Sequence, residues 1–318
     1  MSEDINVEHL LDTFTTIDAD SDDVWDACDR FMTHLYWHKE RLTILKPKIE
    51  GLPDAHPFKP VCLFGLSRLF ESVGNMVERK RLLALTLELW RERGRDRWVA
   101  RILRELSETN RVMGLHKEGI QLAKEALEIY KQLGDTVQRA ECLIQLASLL
   151  WSDNQLDGAE EATSRAIDLL PEEGESFQVC ESHHVLGCIY QSKGETDKAI
   201  HHLEVALGIA SSFNWRDAPF EVHYTMAELF LGEDRFDGAH THLEQAKPHV
   251  ANSVHNLGRS MELQVSLWHK QHRLEEAKSE ALRASEVFEK LGATADLERC
   301  RGRLRVIQME LDAPTASG

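Results

Sequence analysis

Three glycines and an asparagine mark a fixed interval in this chain: Gly94, Gly134, Gly174 and Asn214 follow one another every 40 residues. Each closes a stretch whose apolar residues recur three and four positions apart: LLALTLELWRER, IQLAKEALEIYKQL, EEATSRAIDLLPEE and AIHHLEVALGIASSF. That spacing puts the apolar side chains on one face of a helix. Glycine, and asparagine as its usual substitute, accepts the left-handed conformation in which helices end. Leu133, Gly134, Thr136 and Cys142 return as Leu291, Gly292, Thr294 and Cys300, 158 positions later.

Other series keep the same metre. Ala126, Ala166, Ala206 and Ala246 form one, with Ala284 slightly early, and Ala159, Ala199 and Ala239 form another. Asp157, Asp197 and Asp237 precede the latter, and Glu275 holds the corresponding place in a later unit. An acid at a helix start meets the positive end of the helix dipole. Alanines recur where two helices must approach closely. The unit is therefore a helix, a short turn and a second helix. A lone hairpin of this kind cannot bury both apolar faces, and stacking similar hairpins can.

The units resemble tetratricopeptide repeats. Around Cys180 the motif LGCIY sets Leu186, Gly187 and Tyr190 in the family's first-helix pattern, followed by Ala199, Leu203 and Ala206. The unit from Ala140 carries Leu143, Leu146, Ala147, Leu150, Ala159, Ala166 and Pro171, and the one from Phe220 carries Ala227, Phe230, Ala239, Leu243 and Ala246. The unit near Gly258 keeps Trp268, Ala277, Ala281 and Ala284. Near Ala100, Asn110 replaces the usual aromatic and Gly119 the usual alanine. The 40-residue period, against about 34 in common repeats, is similar to the longer-helix arrays of Pins-type adaptors, kinesin light chains and the tails of fungal NACHT-type NTPases.

The resemblance implies an all-α, right-handed superhelical solenoid of antiparallel hairpins, with about six to seven repeats and a C-terminal capping helix. Residues 1–19 are expected to form an arm or cap, and 20–59 a degenerate first hairpin. Residues 60–293 are expected to form the array, 294–312 the capping helix and 313–318 a disordered tail. GLPDAHPFKP (51–60), with three prolines, reads as a structured bend.

Composition narrows the function. A net charge of −17 disfavours nucleic acid and anionic membrane as main partners. No apolar run approaches the length of a membrane span, and the acidic opening MSEDINVEHLLDTF lacks the layout of a secretory signal. The six cysteines form no CxxC and mostly sit in apolar patterns, as free thiols of a cytoplasmic protein would, with a nuclear location also compatible. P-loop, GxGxxG, GxSxG and HExxH motifs are absent. The chain reads as non-catalytic, without cofactor or metal. His183–His184, His201–His202 and His240/His242 invite a metal reading, but helix neighbours point about 100° apart and chelate poorly. The carboxylate clamp of chaperone-binding repeats needs Lys, Asn and Arg in places that here hold Arg104 and Glu108, Gln145, then Glu181 and Val185.

Glu141, Glu181 and Glu221 recur at the second place of the first helix, which the resemblance assigns to a concave groove together with Gln145, His184, Tyr224 and Glu228. Two readings stand: an acidic column for a basic or amine-bearing peptide, or acids placed for the helix dipole. The expected function is a scaffold that binds a protein or peptide in that groove. The alternative is a regulatory sensor that encloses a small molecule or short peptide.

Overall fold

The computed structural model describes residues 42–72, 74–170, 177–212, 218–250, 254–291 and 294–313. All regular structure among these residues is helical, and no helix among them is long and apolar enough to cross a membrane. The expected arm, the start of the degenerate hairpin, Gly174, Asn214 and the tail beyond 313 lie outside the described residues. The chain divides into two compact units, Met1–Asn154 and Gln155–Gly318.

The first unit contains α1 (Leu42–Glu50), α2 (Lys59–Ser72), α3 (Met76–Glu92), α4 (Asp96–Val112), α5 (His116–Gln132) and α6 (Thr136–Ser152). Helices α3 to α6 have 17 residues each. Joints of three residues separate them, so the 40-residue period is two copies of a shorter metre. Gly74, Gly94, Gly114 and Gly134 all have positive φ, as does Asn154. At Gly94 the physical reason is visible. Its amide donates to the Arg91 carbonyl at 3.0 Å and the next amide, of Arg95, to the Trp90 carbonyl at 3.2 Å. These bonds satisfy carbonyls that a helix end otherwise leaves bare, and they require a left-handed residue between them.

Stacked indoles of Trp90 and Trp98, 5.0 Å apart, centre a core with Leu103, Ala126, Tyr130 and Cys142. Gly119 lets α5 approach α4 and α6 closely: a Cβ there would lie 2.7 Å from Leu149 Cδ2 and 3.1 Å from the Ser107 carbonyl oxygen. The Ser107 hydroxyl donates to the Gly119 carbonyl at 2.9 Å across this contact. The bend at 51–60 is tied from outside, where the Arg93 guanidinium donates to the carbonyls of Asp54, His56 and Pro57.

The second unit contains α7 (Leu156–Leu169), α8 (Phe177–Lys193), α9 (Thr196–Ser212), α10 (Ala218–Gly232), α11 (Phe236–Ala246), a 3-10 turn (Lys247–His249), α12 (Val254–Lys270), α13 (Leu274–Leu291) and α14 (Thr294–Asp312). Helices α8/α9, α10/α11 and α12/α13 pair as hairpins, and α14 packs on α13. Their alanine series sits at the contacts: Ala199, Ala206, Ala246, Ala277 and Ala284 are wholly buried. Gly194, Asp234 and His272 hold the left-handed joints. Helix α11 is short, 11 residues against 17 in α9 and 18 in α13. Pro248 explains this, because proline lacks the amide that a continued helix needs and its ring clashes with the preceding turn.

Candidate functional site

First helices of successive hairpins lie side by side in each unit, and their facing side chains form polar rows. In the first unit, Arg79 of α3 is buried to 1% exposure and reaches Glu71 at 2.9 Å and Glu105 at 2.7 Å. Glu141 of α6 pairs with Arg104 of α4. Glu108 is held by Arg111 through two bonds of 2.8 and 2.6 Å and accepts a longer one, 3.4 Å, from Gln145 Nε2.

In the second unit the row crosses α8, α10, α12 and α14. Glu181 is exposed on α8. Three residues on, His184 Nε2 lies 3.0 Å from Thr225 Oγ1, whose hydroxyl itself donates to the Glu221 carbonyl at 2.9 Å. The histidine must therefore donate from Nε2–H, which leaves Nδ1 as its acceptor. Cys188 Sγ sits 3.7 Å from the same nitrogen. Burial lowers the His184 pKa, with Glu221 opposing the shift, so the ring is neutral near pH 7.

Glu221 accepts a 2.7 Å bond from Arg259 of α12. The Arg259 guanidinium also lies 4.3 Å from the Tyr224 ring centre and 5.6 Å from that of Phe220. Solvent still reaches the Glu228 side chain, but the walls of the row strip water from its carboxyl. That loss raises its pKa, and Glu221 and Glu262 add to the rise against Tyr224 and Arg259. Next along, the buried Glu262 takes a forked pair from Arg299 of α14, at 2.7 and 2.8 Å.

The seven residues expected from sequence thus divide by unit. Glu141 and Gln145 belong to the row of the first unit, and Glu181, His184, Glu221, Tyr224 and Glu228 to that of the second. Glu141 and Glu221 are ion-paired to arginines one hairpin away. From the sequence, Arg104 is read only at a clamp place and Arg259 not at all; the pairings are not legible from neighbours along the chain because the partners lie 37 and 38 positions off, close to the repeat period itself, which is the signal that could have found them.

A second pairing was also missed. The sequence places histidines next to one another, but the structure joins them between the two helices of one hairpin. His183 and His202 face each other with Nδ1···Nδ1 2.9 Å, and His223 and His242 do the same at 3.1 Å. Tyr190 and Phe230 stack on the second ring of each pair. Each short contact needs one protonated and one bare nitrogen, so the accepting ring of each pair is neutral. Loss of water is the largest cause, and neighbouring histidines the next, that hold His202 and His223 down to about 4. Among the described residues no three or more His, Cys, Asp or Glu side chains converge as a metal site.

Comparison with known proteins places these hairpins. Models of the tetratricopeptide repeat match residues 98–172 and 181–213. A sequence search of curated proteins finds no match. Among solved structures, a Rap protein complexed with competence and sporulation factor shares 14% identity, covering 86% of this chain and 80% of that one at a TM-score of 0.63. The apo form of the quorum sensor NprR from B. thuringiensis shares 16%, covering 97% and 88% at 0.61. The Rap conjugation gene regulator of plasmid pLS20, in complex with a peptide, shares 14%, covering 82% and 78% at 0.59. At such identities the likeness is one of fold. With 17-residue helices, left-handed joints, buried alanines at the helix contacts and these two matched stretches, the chain is a protein of the tetratricopeptide-repeat type.

Proposed function

We propose that the chain is a non-catalytic interaction scaffold whose second unit binds a peptide or an extended partner segment along the row of α8, α10 and α12. One observation carries this reading. Within that row, polar groups of neighbouring first helices lie together: Glu181 and Glu228 are exposed, and the half-buried His184 bonds Thr225 of the next hairpin. Pairing of Glu221 with Arg259 makes the row mixed in sign, so a basic group in the partner would engage Glu181 and Glu228 first. The peptide-bound Rap regulator of similar fold supports a peptide as the occupant. Buried free thiols at five described cysteines support a reducing compartment, the cytoplasm.

The test is photo-crosslinking in the source cell, with a benzophenone amino acid at Glu181 or Glu228 and a control at Glu161, exposed on α7. One partner captured from 181 and 228, but not from 161, is the expected result. Equal capture from all three positions would remove the row from the binding surface. The likeness to a quorum sensor over 97% of the chain favours a second reading, a sensor that changes curvature when its peptide binds. X-ray scattering with and without the captured partner's peptide separates the two: a scaffold keeps its radius of gyration and a sensor does not.

A further inference from the structure

A different place in the second unit carries an independent inference. Leu106, Leu146, Leu186 and Met226 follow one another at 40 residues, and all are buried, at 5%, 6%, 4% and 3% exposure. The next copy comes after 38 residues, as it does for Ala239 and Ala277, and it is Gln264, just as buried at 5%. A carboxamide thus stands where four earlier hairpins have an apolar side chain. Its Nε2 is buried with no hydrogen-bond partner. A buried donor left without an acceptor is costly, and native proteins rarely leave one so.

Gln264 lines a cleft of about 740 Å³ among α11, α12 and α13, within the range of small-molecule sites. The early stop of α11 at Pro248 opens it, since α9 in the hairpin before runs six residues longer. Met261, Trp268, Leu257 and Val287 supply apolar walls. At the rim Glu244 is tied to Lys247, and Glu280 to Arg283 at 2.7 Å. Glu286, also lining the cleft, is exposed and has no ion pair among the described residues. The cleft therefore offers a buried donor in its lining, apolar walls, and a carboxylate on an exposed residue.

We propose that this cleft binds a small, largely apolar carbonyl compound with a cationic end. Its carbonyl oxygen accepts from Gln264 Nε2, its apolar part lies on Trp268 and Met261, and its ammonium faces Glu286. The site is separate from the row proposed for partner binding and does not depend on that reading.

The probe is N-(3-aminopropyl)benzamide, compared with 5-phenylpentan-1-amine, which keeps the ring, the spacing and the single ammonium but lacks the carbonyl. Binding to the full chain is followed by calorimetry and saturation-transfer NMR. The expected result is a preference of about tenfold or more for the benzamide, the scale of one satisfied buried hydrogen bond. Gln264→Leu, which restores the residue of the earlier hairpins, should abolish the preference and raise the Tm. Gln264→Met, which copies the side chain of Met226, serves the same end should the leucine variant not fold. Glu286→Gln should weaken both probes alike, by several-fold. Absence of benzamide binding at 10 mM (about the weakest affinity such a site could have), or an unchanged preference in the folded Gln264 variants, would overturn the proposal.

Discussion

Hairpins α4/α5 and α8/α9 share a frame and fill it differently. Leu103 and Leu122 occupy in α4/α5 the places that His183 and His202 occupy in α8/α9, each 80 residues on. Leu103 is fully buried and Leu122 packs against the same apolar cluster. In α8/α9 the two imidazoles bond to each other instead, and α10/α11 repeats the device with His223 and His242. The frame accepts either filling, because a polar pair costs little when each member satisfies the other. The difference is that the imidazole pair can be charged.

Breaking the exchange in one direction should have the largest effect. Leu103→His alone buries a lone imidazole and deletes apolar packing, for a loss of about 3 kcal/mol or more. Adding Leu122→His should recover about 1 kcal/mol of that through the mutual bond. Chemical denaturation of the two variants checks it; equal stabilities would mean that the pairing has no energy of its own.

Acid should separate the units next. His202 and His223 titrate near 4 in the fold but near 6.5 when unfolded. The unfolded chain then binds more protons between these values, so stability falls as pH drops from about 6.5 to 4 and levels off below. Discounted for partial solvent access, the loss is roughly 1 kcal/mol per pair. Hydrogen exchange at pH 7 and pH 4.5 should show α8 to α11 losing protection before α3 to α5. The double change His183→Leu and His202→Leu should flatten the response of the first pair. Uniform loss over both units would assign acid sensitivity to something else.

The joints offer a finer contrast. At Gly134 nothing lies within 4 Å of an added Cβ, so Gly134→Val should cost about 1–2 kcal/mol through the left-handed backbone alone. Asp234 holds the same kind of joint with φ 57°, and Asp234→Gly should gain up to about 1 kcal/mol. Melting curves that move in the same direction for both would refute the conformational account.

The smallest effect belongs to the ion-paired row. Glu221→Gln removes a partly exposed pair with Arg259 and should change stability by less than about 1 kcal/mol. Thermal melts at low and high salt should show that this small difference shrinks as screening increases.

Helix, joint and repeat were legible in the sequence because each is written by neighbours along the chain. Apolar spacing chose the buried face of each helix, a glycine chose its end, and an alanine marked the close contact; Gly134, Ala206 and Ala246 needed nothing distant to be read. Even the short α11 could have been read from Pro248. The candidate site was legible only as residue types at a recurring place. Tertiary structure decided what those residues do, because a side chain's partner depends on which helix is brought beside it. It joined Glu141 to Arg104 in the hairpin before and Glu221 to Arg259 in the one after. It also joined His202 to His183 rather than to the adjacent His201, and left Gln264 Nε2 without a partner in an apolar position. Local spacing determines the backbone's hydrogen bonds, which close within a few residues, whereas these side-chain pairings close across half a repeat or nearly a whole one.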